Sequence, residues 1–277
     1  AQEEAALKLK RDFDSHVFDA YSRVRHRMLA YEQVLRGTQG LFSASKSVER
    51  DEFRAYYDKL HLDQNYPGIQ GIGFAQVVSP AEKDQLISSI RKQGFPKFTL
   101  WPEGKRDFYT AIIYVEPFTG LNLQPFGYDM YTEPARRAAM EQARDTDKAA
   151  LSSHLKLLAD SKEHRQAGFK MYLPVYKNNL PHNTLAERRD NLVGWVYGLF
   201  RMDNLMRGIL GEHFADINVE IFDGKELSDN TKIYNAGHID QVTQKTNSRF
   251  KTIKKLEIAG HTWMMAIASR PDFEAQL

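Results

Sequence analysis

The sequence predicts an α+β protein in which one very long helix precedes two mixed units, and three observations carry that expectation. Apolar or small residues recur at Ala6, Leu9, Phe13, Val17, Ala20, Val24, Met28, Tyr31, Leu35, Thr38 and Leu41. That is ten steps over 35 residues, a mean spacing of 3.5, the value of a helical seam. Beyond it, strand-like runs and short amphipathic stretches follow as strand, helix, strands, helix, strands, an order that suits a mixed sheet carrying helices. A shorter stretch near the C-terminus repeats a similar order without repeating its residues.

The helix comes first because no Pro or Gly interrupts it before Gly37. At 1.5 Å per residue it is about 50 Å long, more than one small domain covers. Two arrangements answer that length: the helix lies along its own chain, or it is a stalk that pairs with a second copy. We take residues 1–42 as a dimerisation stalk forming a homodimer, although Ala, Thr, Tyr and Met in the stripe make a weak zipper.

Residues 43–190 form the first unit. Phe53, Tyr56, Tyr57 and Leu60 share one face of a helix over 49–60. The Tyr66-Pro67-Gly68 turn leads to a strand over 69–78, and Ser79-Pro80 opens a helix running to Gly94. Strands are expected at 98–101 and 109–115. A loop rich in Pro and Gly (116–128) reaches a short helix capped by Thr132-Glu133-Pro134, with the small residues Ala135, Ala138, Ala139 and Ala143 inward. Strands at 149–155 and 168–176 complete the unit, and the polar stretch 177–190 reads as a linker or a long hairpin loop.

The second unit is residues 191–277. A strand over 192–200 opens it, and Asp203 begins a helix with Leu205, Met206, Ile209 and Leu210 inward. A strand over 217–222 ends in the Asp223-Gly224 turn. A hairpin about Gly260 then joins 249–258 to 262–269.

Composition narrows the function. With 42% hydrophobic and 12% aromatic residues in 277, the chain has material for a core of one elongated or two small domains. Lys and Arg number 38 against 36 Asp and Glu, which argues against a nucleic-acid binder. The absence of cysteine removes disulfides, thiolate metal sites and cysteine nucleophiles. No apolar run approaches the roughly 18 residues of a membrane span, and the start at Ala1 reads as that of a mature or excised fragment. The nucleophile-elbow, HExxH, phosphate-loop and dinucleotide signatures are missing, and the scattered histidines suggest no metal site and no cofactor.

Asp129 stands out, lying between Gly127-Tyr128 and an Ala-rich helix. At a helix N-terminus a carboxylate is held ionised by the dipole and by backbone donors. There it either caps the helix or faces a pocket and accepts a hydrogen bond from a ligand N–H.

Residues 66–74 (YPGIQGIGF), 109–117 (YTAIIYVEP), Gly127-Tyr128-Asp129-Met130, 137–151 and 168–176 (GFKMYLPVY), in that order, resemble the CHASE domain. This is the extracytoplasmic sensor module of receptor histidine kinases and nucleotide cyclases, and its plant members are the cytokinin receptors. The resemblance covers residues 41–177. It implies two PAS-like subdomains after the long helix, distal and proximal to a membrane, with both chain ends continuing into transmembrane helices. It also implies ligand contacts: Asp129 matches a carboxylate that binds an adenine ring, Leu151 a main-chain contact and Ser161 a polar one. Where the family often has Thr-Gly after the helix, this chain has Thr146-Asp147; Asp is among the residues that tolerate a left-handed conformation.

The function expected is a periplasmic sensor domain of an inner-membrane receptor, not itself an enzyme, that binds a small, adenine- or cytokinin-like molecule. Apolar walls are assigned to Tyr109, Ile113, Met140, Phe169, Met171 and Leu173, the last three because strand alternation sends Lys170 to the opposite face. The alternative is a ligand-free structural dimerisation module. A periplasmic hydrolase using Asp129 and Glu133 is a third reading, without an accompanying nucleophile or metal set.

Overall fold

The computed structural model describes residues 1–155, 167–211, 214–236 and 247–276. Helix α1 (Gln2–Ala44) is unbroken, with Glu3 and Glu4 in its first turn, where carboxylates complement the helix dipole. Its stripe is buried from Leu9 to Thr38, and its own chain covers it. Phe13 stacks on Phe250 at 5.5 Å, Tyr31 meets Phe200 at 5.0 Å and Phe42 meets Phe74 at 4.3 Å. Tyr31 also donates a hydrogen bond to the Pro67 carbonyl at 2.7 Å. The stripe is therefore not a seam for a second copy, which corrects the expected stalk. A 3.5 period reports that one face is buried and does not say by what. Leu7, Phe18 and Leu29, on the other side, stay exposed.

Helices α2 (Arg50–Leu60) and α3 (Leu62–Asn65) lead into β1 (Ile69–Val78), followed by α4 (Lys83–Lys92) and β2 (Tyr109–Glu116). Next come α5 (Pro134–Thr146), the two-residue β3 (Ala150–Leu151), β4 (Gly168–Tyr176), the short α6 (Leu185–Asp190) and β5 (Leu192–Arg201). The first sheet has the order β2-β1-β5-β4-β3, all antiparallel. Strand β5 is thus its central strand, with Val196 paired to Phe74 on one side and Leu173 on the other. This differs from the expectation that residue 191 opens the second unit. The reason is that β5 is buried on both faces, as a central strand must be, while Lys177 N–H bonds the Asn191 carbonyl at 2.8 Å and closes the stretch between them as a hairpin loop. The strand expected at 98–101 is reduced to one bridge, Trp101 to Tyr128.

The chain leaves the first sheet through α7 (Met202–Leu210). The second sheet has the order β7-β6-β9-β8, from β6 (Ile217–Asp223), β7 (Lys232–Asn235), β8 (Lys251–Ile258) and β9 (His261–Ser269), and α8 (Pro271–Glu274) follows. Ala259 and Gly260 both take positive φ, 48° and 70°, the demand of a two-residue hairpin turn. No described helix is long and apolar enough to cross a membrane.

Besides α1, contacts between described residues tie the two sheets together. Phe169 meets Trp263 edge-on at 5.0 Å, and Leu151 N–H donates to the Ala259 carbonyl at 3.1 Å. Asp223 accepts from the His154 backbone at 2.8 Å, and its carboxylate bonds His154 Nδ1 at 2.7 Å and His261 Nε2 at 2.5 Å. Burial pushes the Asp223 carboxyl up, but the bonds from His261 and His154 outweigh it and hold the group below its ordinary value.

Three outcomes follow for stability. Leu35→Ala should cost about 2–5 kcal/mol in urea unfolding, as cavities in cores do, whereas Ile253→Thr, exposed on β8, should stay within about 0.5 kcal/mol. Asp223→Asn should cost about 1–3 kcal/mol at neutral pH. Because the lowered acid stabilises above its unfolded value, that deficit should shrink as the pH falls below about 4.

Candidate ligand-binding site

The first sheet is covered twice. Phe74, Val196, Phe169, Met171, Leu173, Tyr109 and Ile113 share a core with α1. On the other face Ala75, Ile112, Tyr172, Trp195 and Tyr197 pack with Tyr128, Met130 and the α5 residues Ala139, Met140 and Ala143. The alanines let α5 lie close, and Trp195 Nε1 donates to the Met140 carbonyl at 2.9 Å. Helix α5 ends at Asp147 in the left-handed region, φ 52°, a conformation that Asp adopts at less cost than most residues.

Asp129 is delivered to the α5 face by a strand-like passage. Gly127 N–H bonds the Ile112 carbonyl at 2.9 Å, Ile112 N–H returns to the Tyr128 carbonyl at 3.2 Å, and Asp129 N–H reaches the Trp101 carbonyl at 2.8 Å. Gly127 has φ 85°, and a Cβ there would meet the Thr99 carbonyl. The Asp129 side chain is 1% exposed. Its Oδ1 accepts from the Thr110 hydroxyl at 2.5 Å, and its Oδ2 pairs with Arg106 Nε at 3.2 Å. The Arg106 guanidinium lies over the Tyr109 ring at 5.0 Å. Burial raises the Asp129 carboxyl above its ordinary value, although Thr110 and Arg106 oppose the shift. Asp129 does not cap α5. That work falls to Glu133, whose carboxylate accepts from Ala135 N–H at 3.0 Å and Arg136 N–H at 2.8 Å.

The second charged group is Lys170, the third residue of β4 and 3% exposed. Its Nζ lies 3.1 Å from Met130 Sδ and 4.8 Å over the Tyr197 ring. The Tyr172 hydroxyl approaches the same sulfur at 3.5 Å. Arg136, also 3% exposed, pairs with Glu133 at 3.3 Å and lies over the Tyr128 ring. Burial, reinforced by the Arg136 charge, drives the Lys170 amine well below its ordinary value. The Tyr172 and Tyr197 hydroxyls are pushed up by the same burial.

Of the expected contacts, Asp129 and Met140 lie on the α5 face. Tyr109, Ile113, Phe169, Met171 and Leu173 belong to the core against α1 and so do not share a face with Met140. Alternation has a period but no phase, and all nine residues of β4 are buried, so the charge of Lys170 was no guide to solvent. Leu151 joins the α1-side core, and its N–H is already taken by Ala259. Ser161 lies outside the described residues. Lys170, Arg106, Arg136, Thr110, Tyr172 and Tyr197 were not anticipated; the one available signal was a lysine inside an otherwise apolar strand. The carboxylates of the hydrolase reading have separate tasks, Asp129 with Thr110 and Arg106, Glu133 at a helix N-terminus.

The family described as the CHASE domain matches residues 46–234. Among solved structures, an extracellular ligand binding receptor from Desulfohalobium retbaense DSM5692 is similar, with a TM-score of 0.54 and 12% identity over 94% of this chain. At that identity the likeness is one of fold. This chain spans 40% of the length of that receptor.

Lys170 makes one prediction by itself. The unfolded lysine stays protonated up to about pH 10.4, while the folded amine has lost its proton at a lower pH. Between those limits the unfolded state binds more protons, so stability rises with pH. In urea titrations the wild type should gain on Lys170→Met by up to about 1.4 kcal/mol per pH unit.

Proposed function

The chain belongs to the CHASE domain family, and from that premise we propose that it is the periplasmic sensor domain of a bacterial inner-membrane receptor, taking a small ligand between α5 and the first sheet. Signalling then runs through flanking transmembrane helices to a cytoplasmic histidine kinase or to an enzyme of cyclic-di-GMP or cyclic-AMP synthesis. The observation that carries this reading is the charged set held in an otherwise apolar layer: Asp129 with Arg106, and Lys170 beside Met130 and Tyr197. A fold gains little from burying charges that apolar residues replace, whereas a binding site needs a few such groups among apolar walls. In this reading Asp129 accepts a ligand N–H with the lone pairs left by Thr110 and Arg106, and Met140 contributes apolar wall.

Transmission requires a ligand that binds one of two arrangements more tightly, since equal affinity shifts nothing. The route we favour starts at β4, whose Phe169 touches Trp263, and β3, whose Leu151 bonds the β8–β9 turn. Strand β9 then leads to the C-terminus. Pairing with a second copy is assigned to the solvent face of α1, where Leu7, Phe18 and Leu29 are exposed.

One observation favours the other reading, a structural module without ligand: the Asp129 carboxylate already has partners within the chain. Titration calorimetry separates the two, using the small molecule that mass spectrometry identifies in the purified protein. A charge-assisted hydrogen bond contributes roughly 1.5–3 kcal/mol, so Asp129→Ala should weaken binding roughly 10- to 100-fold. Unchanged affinity would return Asp129 to a structural role.

A further inference from the structure

We propose that the ligand carries a carboxylate and that Lys170 Nζ receives it. The inference rests on the sensor reading above and narrows the ligand class of that same site. An ammonium offers three donors and accepts nothing. Among the described residues, no carboxylate lies within ion-pairing distance of Lys170 Nζ, and its neighbours are the Met130 sulfur at 3.1 Å and the Tyr197 ring at 4.8 Å. A thioether is a weak acceptor, and a ring face satisfies charge without fixing direction. The strand itself has no use for the amine: Lys170 is held in register by its backbone, whose N–H bonds Ser152 Oγ at 3.0 Å and whose carbonyl accepts from Ser152 N–H at 2.8 Å.

The other charges on this face have tasks that Lys170 lacks. Arg106 is taken by Asp129, and Arg136 by Glu133. When Lys170 is protonated, these groups carry one positive charge in excess, which a monoanion neutralises and a phosphate dianion overshoots. The surroundings, Met130, Tyr172 and Tyr197, are aromatic or apolar, so the carboxylate would belong to a molecule with an apolar body. An uncharged, purely hydrogen-bonding ligand would leave the Lys170 donors unmatched.

The test is thermal melting of the full chain with two matched series of probes. Butyrate, benzoate and phenylacetate form one, and butyramide, benzamide and phenylacetamide the other. Wild type, Lys170→Met and Lys170→Gln are compared, the two replacements guarding against one that fails to fold. The carboxylates should raise the wild-type melting temperature in a dose-dependent manner, the amides should not, and the apparent affinity should drop at least tenfold in either variant. An equal carboxylate response in the variants would overturn the role of Lys170. Amides that stabilise all three proteins, with carboxylates inert, would overturn the anion while leaving a small-molecule sensor standing. If neither series moves any of the three proteins, the carboxylate proposal falls, and the sensor reading is decided by the Asp129→Ala titration.

Discussion

The first sheet is enclosed on both sides, by α1 on one face and by α5 with the 125–132 segment on the other, and the chemistry of the site follows from that enclosure. A side chain on an enclosed strand has no path to water, so each charge there must find a partner, lose its proton or wait for a ligand. Asp129 finds Thr110 and Arg106, Arg136 finds Glu133, and Lys170 has only a thioether and a ring face among the described residues. The α5 side differs from the α1 side in this respect. The polar groups of the core against α1, such as the Tyr31 and Thr38 hydroxyls, bond to backbone carbonyls, while the core against α5 holds charged groups.

Helix α1 explains how one chain keeps two small sheets in a fixed relation. It buries one continuous stripe against both, with Phe13 on Phe250 of the second unit and Phe42 on Phe74 of the first. The Asp223 bonds to His154 and His261 and the Leu151–Ala259 bond fasten the sheets at a second place, close to the end of α5. A change in how α5 sits on β4 is thereby within a few residues of the second sheet, without passing through α1. For a sensor domain this is a physical basis for coupling, because packed interfaces shift between discrete arrangements and do not deform continuously.

Much of this was legible in the sequence. The 3.5-residue stripe specified the length of α1, Pro134 and Glu133 specified the start of α5, and the ordered motifs from Tyr66 to Tyr176 pointed to the family whose match now spans residues 46–234. Asp129 was singled out because a carboxylate between aromatic residues and a helix start is unusual, and it is buried on the α5 face. The positions whose facing was not legible share one cause. The core residues Tyr109, Ile113, Phe169, Met171 and Leu173 lie on doubly buried strands, where hydrophobicity is the same on both faces. Lys170 reads as a solvent residue in any local pattern, since burial of a lysine is a property of what covers it.

What the sequence determined alone, then, were features set within a turn or two of chain: the helix period, the Glu133-Pro134 start of α5, the hairpin at Ala259-Gly260 and the alternation of the strands. Ser79 and Asp203, read as helix starts, do not cap, since α4 begins after Glu82 and α7 after Arg201. Tertiary structure decided what covers the α1 stripe, where β5 pairs and which face of β4 looks at α5. Those choices depend on residues far apart in the chain, because a repeat in sequence carries its period but not its phase, and a buried face does not name its partner.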